Sequence, residues 1–404
     1  MRERNEPHSK DDAAPSIFAR LGVPTIINAA GPATRLGGGR ADPEVAAAVA
    51  EAMGQCVAIE TLQERASEII AEHTGAEAGL VTSGAAAALL LGAAACLTGL
   101  DPDRMGRLPH VAGRNRILIP RSHRNLYDHA LRTAGAELVE VGIADRFSGA
   151  GVRDTEAWEL GAAIDERTAA IAYVAQSYSQ PPLEQVIAEA HARGVPVIVD
   201  AAGRLPPQSN LRAFIDAGAD LVCFSGGKAI GGPQGTGILC GRRRLVGAAA
   251  LQLFDQDVLP ELWRPPSWIA GEPPLAGAPH HGIGRPCKVG KEQIAGLLVA
   301  LQRFAAIPDR ERIAGWRRLS DRLVELLDGA PCQATIDDGR DGTPIVEVRP
   351  ERRGALELTT ALLGGAPPIH VNAGGVREGL LRFSPACLSE GEVAVIGDRL
   401  RALL

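Results

Sequence analysis

Apolar residues recur along this chain in two rhythms whose alternation predicts the fold. Helical spacing, with apolar positions three and four apart, covers residues 41–53, 61–74, 85–98, 126–134, 155–163 and 183–193. Asp42 and Pro43 supply the cap and first turn of the first of these. Between the helices lie short apolar runs at 78–84, 116–120, 136–141, 169–175, 196–200 and 220–224. Such runs are continuous rather than alternating, as in strands buried on both faces of a mostly parallel sheet. The pattern predicts an α/β protein: a three-layer αβα sandwich with a smaller C-terminal α+β domain. The segment 259–286 is rich in Pro, Gly and Trp and reads as a functional loop or an interdomain crossing. Beyond it come helices at 291–305 and 308–328, strand-like runs near 343–348 and 378–384, and a last helix at 390–403. The expected organisation is a polar arm over 1–20, ordered only against a partner subunit, and a segment 21–60 joining the small domain. A large domain over 61–285 and a small domain over 286–404 follow.

Composition narrows the function classes. The apolar fraction is 46% and the formal charge is −6, with no basic block beyond Arg242-Arg243-Arg244, which reads as a solvated turn after a strand. Nucleic acid is therefore not an expected partner. The seven cysteines are scattered and form no CxxC pair, so neither a zinc site nor a disulfide framework is expected. The first fifteen residues are charged, and the longest apolar stretch, 85–97, is interrupted by Gly92 and too short to span a bilayer. The expectation is a cytoplasmic protein with no membrane partner and a small-molecule substrate.

Lysine placement is more informative than arginine placement, because four lysines stand against 38 arginines. Schiff-base chemistry needs an amine that can lose its proton, which arginine cannot supply. Lys10 lies in the polar leader, while Lys288 and Lys291 open a helix; Lys228 follows the 220–224 run in Ser225-Gly226-Gly227-Lys228. Its glycines would admit a bulky ring. On that peptide alone, a surface lysine in a glycine-rich turn is the commoner reading.

Asp200 ends the run 196–200, at the strand end where open α/β sheets place their ligands. It could keep a heterocyclic nitrogen protonated, or simply cap the next helix. Thr82-Ser83-Gly84-Ala85 offers amides, a helix N-terminus and the Ser83 hydroxyl to a phosphate, although any tight strand-to-helix turn prefers the same residues. In Arg121-Ser122-His123-Arg124-Asn125-Leu126-Tyr127, His123 could lie flat on a ring, and Tyr127 could supply the ring or a proton instead. The glycines near Ser83 do not follow the dinucleotide spacing GxGxxG, which disfavours a Rossmann-type oxidoreductase.

In order, these elements, with Gly231-Gly232-Pro233-Gln234 after the lysine, resemble the fold-type I pyridoxal phosphate enzymes. More narrowly, the chain resembles the aminotransferase class V-like branch of selenocysteine synthase and the D-glucosaminate-6-phosphate ammonia-lyases. The resemblance begins at Ile26-Ile27-Asn28-Ala29-Ala30-Gly31, ends at Gly284-Arg285-Pro286-Cys287-Lys288-Val289-Gly290-Lys291-Glu292, and covers most of residues 20–300. It implies pyridoxal 5'-phosphate as cofactor, Lys228 as the Schiff-base lysine, Asp200 on the pyridine nitrogen and His123 against the ring. Ser83, Gly84, Ala85 and Ser225 would hold the cofactor. Arg285 and Lys288 would face an anion across a subunit boundary, and Arg382 would take a substrate carboxylate. The same resemblance implies a homodimer or higher homo-oligomer.

Proton abstraction by Lys228 followed by β-elimination would make the protein a lyase for a small hydroxylated or anionic amino acid or amino-sugar acid. Racemase and aldolase chemistry share that first step. Selenium transfer ranks lower, because the leader before Asn28 is short for a tRNA-binding domain and the chain is acidic. A non-catalytic protein of the same fold is the remaining alternative.

Overall fold

Val, Ile and Leu occupy successive positions of the central strands, and in the computed structural model of the chain both faces of those strands are covered. The structure describes residues 16–143, 153–266, 268–269, 275–339 and 341–404. It divides into two compact units. The smaller comprises the chain up to Gly31, Trp316–Asp337 and Pro344–Leu404; the larger comprises Pro32–Gly315 and Asp338–Thr343. Residues 1–15 of the expected arm lie outside the described residues, as do 267 and 270–274 of the long loop.

The chain enters the smaller unit with α1 (Ile17–Arg20) and β1 (Ile27–Ala29). In the larger unit α2 (Pro43–Met53) and α3 (Ile59–Thr74) precede β2 (Ala78–Thr82), α4 (Ala85–Thr98) and α5 (Pro102–Arg107). Next come β3 (Arg116–Pro120), α6 (His129–Thr133), β4 (Glu137–Val141), α7 (Ala157–Ala163), β5 (Thr168–Val174) and α8 (Leu183–His191). Then follow β6 (Val197–Asp200), α9 (Asn210–Asp216), β7 (Leu221–Ser225), β8 (Gly237–Gly241), α10 (Arg243–Leu253) and α11 (Lys291–Ala306). The strands form one sheet in the order β2-β8-β7-β6-β5-β3-β4. Only β8 runs antiparallel to its neighbours.

Two buried clusters account for the continuous apolar runs. Ile117 and Ile119 join one cluster with Leu91 of α4 and Val246 of α10. Leu118 between them joins the other, with Ile70 of α3, Val186 of α8 and Leu297 of α11. Each strand thus buries alternate residues on opposite faces, and each such side chain contributes roughly 1.5–3 kcal/mol. The outer edge of β2 is covered by α3. The Gln63 amide donates to the Val81 carbonyl at 2.9 Å and accepts from the Val81 amide at 3.0 Å, and Ser67 Oγ accepts from the Gly79 amide at 2.9 Å. These side chains replace a neighbouring strand and leave no bare edge there.

At the opposite end of the strands the buried Asp220 accepts from the Val197 amide at 2.7 Å and contacts His191 Nε2 at 2.8 Å and Arg242 Nε at 2.5 Å. The basic triplet is exposed as expected but starts α10 rather than forming a turn: Arg242 is paired with Asp220, and Arg243 donates to the Glu77 carbonyl at 2.8 Å.

Helix α12 (Asp309–Leu326) begins in the larger unit and continues past Gly315 into the smaller one. There β9 (Cys332–Asp337), β10 (Ile345–Pro350), α13 (Ala355–Leu363), β11 (Ile369–Val371), β12 (Leu381–Phe383) and α14 (Glu390–Leu403) complete the fold. β12, β10 and β9 form an antiparallel sheet, β1 pairs in parallel with β11, and Val348, Leu358, Phe383 and Ile396 share its core.

The division differs from the expected boundaries. Residues 32–60 and α11 belong to the larger unit, because α11 packs on α2 and α3 and buries Ile294, Leu297 and Leu301 in the larger unit's core. The boundary falls at 315/316 instead of 285/286. Among the described residues no helix is long and apolar enough to cross a membrane.

Candidate active site

The parallel strands bring several expected site residues to one sheet edge. β6 ends at Asp200, which lies in register with Val174, the last residue of β5, and with Cys223 of β7. Thr82 at the end of β2 and Ser225 at the end of β7 both pair with Gly237, where β8 begins. The turn after β7 then carries Lys228. Its amine reaches back toward the segment following β6: a Cβ added at Gly203 would stand 3.9 Å from Lys228 Nζ.

Asp200 Oδ1 accepts from the Ala202 amide at 3.0 Å. Burial pushes the carboxyl above its ordinary range, and the Ala202 amide and the Lys228 charge pull it back only in part. A cationic ring nitrogen against this carboxylate would offset the desolvation that raises it.

His123 ends the short turn after β3 and is 4% exposed. Its Nδ1 accepts from the Val174 amide at 3.2 Å, which leaves Nε2 to carry the proton of the neutral ring. The imidazole meets Tyr173 edge-on, with centroids 4.6 Å apart and planes at 82°. The Tyr173 hydroxyl donates to the Pro181 carbonyl at 3.0 Å, and burial raises this phenol to about 12. His123 is thereby held beside the strand neighbouring Asp200, whereas Tyr127 is 59% exposed on the next turn.

The turn from β2 into α4 forms a cradle of backbone. Helix α4 has no side-chain cap and no acidic residue in its first turn, so its leading amides remain open to an anion. The cradle has room because residue 237 is glycine: a Cβ there would stand 2.4 Å from the Gly84 carbonyl carbon and 2.6 Å from the Ala85 nitrogen. Ser83 Oγ donates to the Cys287 carbonyl at 2.7 Å, tying the 285–287 turn to this cradle while leaving the oxygen able to accept.

Three expected anion ligands lie away from the Lys228 turn in the sequence, and each has its own surroundings. Arg285 is turned inward, donating to the Leu253 carbonyl at 2.9 Å and to Asp255 at 2.8 Å. Lys288 is exposed and lines an open cavity with Glu60, Asp255 and Arg285. Arg382 belongs to the smaller unit, where its Nε donates to Glu347 at 2.7 Å across the β10–β12 pair. Sequence reasoning did not single out the Val174 amide that orients His123, nor Gly237, whose signal was a glycine on either side of Thr236.

An open helix N-terminus, a half-buried carboxylate and a lysine amine on one sheet edge fit the phosphate, ring nitrogen and aldehyde of pyridoxal phosphate.

Comparison with known proteins gives the same class. The L-seryl-tRNA selenium transferase family matches residues 26–253. The chain is 32% identical to a 5'-C-glycyluridine monooxygenase-decarboxylase of a Streptomyces species, over 96% of this chain and 92% of that one. It is 30% identical to the D-glucosaminate-6-phosphate ammonia lyase of Salmonella typhimurium, over 96% and 98%. A solved structure of D-glucosaminate-6-phosphate ammonia-lyase superposes with a TM-score of 0.80 at 29% identity, covering 97% of this chain and 98% of that one. The chain belongs to the L-seryl-tRNA selenium transferase family, in the fold-type I branch of pyridoxal phosphate enzymes.

Proposed function

We propose that this protein is a pyridoxal phosphate-dependent lyase acting on a small hydroxylated or anionic amino acid or amino-sugar acid. The observation that carries this reading is the convergence of Lys228 and Asp200 on one sheet edge, with Nζ 3.9 Å from the Cβ position of Gly203. The cofactor, when bound, makes the α-proton of an attached amino acid acidic by withdrawing electrons into its ring.

Each residue then has a task. Lys228 would hold the cofactor through its amine, and its Nζ, once free, would be the base that takes the α-proton of the substrate. Asp200 would face the cofactor's ring nitrogen and favour its protonated form, and His123 would lie against the ring. Ser83, Gly84 and Ala85 bind the phosphate from the N-terminus of α4, and Ser225 borders the same edge. Departure of a β-substituent completes an elimination. Similarity to an ammonia lyase over nearly the full length of both chains supports this outcome.

A second reading, loss of the α-carboxylate, is favoured by the comparable similarity to the protein named a monooxygenase-decarboxylase. Products separate the two: ammonia and a keto acid, or carbon dioxide.

The reading includes a cytoplasmic homodimer or higher homo-oligomer. The experiment is an absorption spectrum with and without pyridoxal phosphate, then borohydride reduction and peptide mapping. A visible band whose reduction labels Lys228 is the expected result, and absence of both would refute the reading.

A further inference from the structure

The 282–287 turn, whose last carbonyl takes the Ser83 proton, is itself held by a side chain to which the proposed function gives no task. Gln252 lies near the end of α10 and is 0% exposed. Its Oε1 accepts from the Ile283 amide at 3.0 Å, and its backbone carbonyl accepts from the Gly284 amide at 3.1 Å. The turn lies directly on it: a Cβ at Gly282 would stand 2.5 Å from Gln252 Cα, and one at Gly284 would stand 2.8 Å from the Gln252 carbonyl oxygen. The Cys287 amide then donates to the Gly284 carbonyl at 2.8 Å, and the Cys287 carbonyl accepts from Ser83 Oγ at 2.7 Å. An unbroken series of hydrogen bonds thus joins Gln252 to the start of the α4 cradle.

A serine hydroxyl has one proton, and here it is spent on Cys287. The tie therefore acts by holding the backbone of Ser83, Gly84 and Ala85, whose amides open at the N-terminus of α4. Packing alone does not explain a glutamine at 252. Its Nε2 is buried with no partner among the described residues, a destabilising arrangement that an apolar side chain of the same size would avoid. We propose that Gln252 is a positioning residue for the cofactor phosphate. It fixes the 282–287 turn, and the turn, through Cys287 and Ser83, holds the amides of the cradle in place for the anion. Arg285, donating to the Leu253 carbonyl and to Asp255, clips the same turn to the residues just after Gln252. The inference rests on the phosphate role given to the α4 cradle in the proposed function.

The test is equilibrium dialysis of the cofactor-stripped full chain against pyridoxal phosphate and against pyridoxal, which lacks only the phosphate. It compares the wild type, Gln252→Met, Ser83→Ala and the double variant. Gln252→Met is expected to weaken pyridoxal phosphate about 10-fold and to leave pyridoxal within about twofold. In the Ser83→Ala background the same substitution should add less than about twofold, because residues acting in one series are not additive. Gln252→Asn keeps a buried amide but is too short to reach the Ile283 amide, so it should give the same pattern, and it stands in if the methionine variant does not fold. Unchanged pyridoxal phosphate affinity in the Gln252 variants overturns the assignment. So does equal weakening of both ligands, which marks a purely structural role, or full multiplication of the Gln252→Met and Ser83→Ala losses, which breaks the series at Ser83. A wild type that binds pyridoxal phosphate no tighter than pyridoxal refutes the phosphate cradle itself and this inference with it, whereas a wild type that keeps that preference isolates a failure of Gln252 alone.

Discussion

At the scale of single residues, Asp200 carries the clearest electrostatic consequence. Burial raises its pKa in the folded protein above the ordinary carboxyl value. Its contribution to stability is therefore fully present below that ordinary value and is lost as pH rises through the folded pKa. Cofactor-free protein should lose thermal stability as pH rises from the ordinary carboxyl value through the raised one, and Asp200→Asn should flatten the profile; melting temperatures against pH measure both. In the holoenzyme the same substitution should slow turnover on the order of 10²-fold, because the ring nitrogen loses the anion that keeps it protonated. Near-normal turnover would mean another group supports the ring. Lys228→Ala should remove the visible band and the borohydride label while leaving the circular dichroism spectrum unchanged. The placement of Lys228 and Asp200 at one side of the sheet was legible in the sequence, because each ends or follows a continuous apolar strand run. Which of His123 and Tyr127 is buried was not, since it turns on one long-range bond, Val174 N–H to His123 Nδ1 at 3.2 Å. Arg285 and Arg382 were read as anion ligands from the resemblance, and their carboxylate partners, Asp255 and Glu347, were not legible because they meet them only through tertiary packing.

At the scale of elements, the site depends on how β2 and β8 are held. Gln63 satisfies both backbone groups of Val81 in mid-strand, so Gln63→Leu should leave a buried N–H and C=O unpaired and cost roughly 2–5 kcal/mol. Urea denaturation measures this, and a loss below about 1 kcal/mol would mean water reaches the strand edge. Gly237→Val should crowd the α4 cradle and weaken cofactor binding, read by dialysis against pyridoxal phosphate; retained affinity would place the phosphate elsewhere. The strands β3, β5, β6 and β7 were legible as continuous apolar runs, since each is buried on both faces. β8 was foreseen only as an unplaced strand before the basic triplet, because three apolar residues between glycines are a short run that takes its place only when two neighbouring strands enclose it. The helix expected over 126–134 is a 3-10 turn followed by α6, since the Asn125 side chain accepts from the Tyr127 amide at 2.7 Å and caps the turn separately.

At the scale of the whole molecule, the order of strands and helices is written in local periodicity, but the division into units is not. The Pro- and Gly-rich stretch 259–286 marked a boundary in the sequence, yet the chain stays in the larger unit through α11 and leaves it only within α12. Which core a helix joins is decided by surfaces distant in sequence. The same reasoning applies to the surface that a single chain leaves open. Leu126 is 93% exposed, Leu262 67%, Leu259 65% and Tyr127 59%, all in the larger unit. Large apolar groups left in water at this extent are favoured partners for burial against a second copy. Sedimentation at micromolar concentration should give a dimer or larger assembly, and Leu126→Glu should shift it toward monomer by placing a charge where an apolar contact forms. A wild type that sediments only as monomer would refute the assembly. An oligomer insensitive to Leu126→Glu would place the interface on another face, leaving the Leu126–Tyr127 turn as a wall of the site open to substrate.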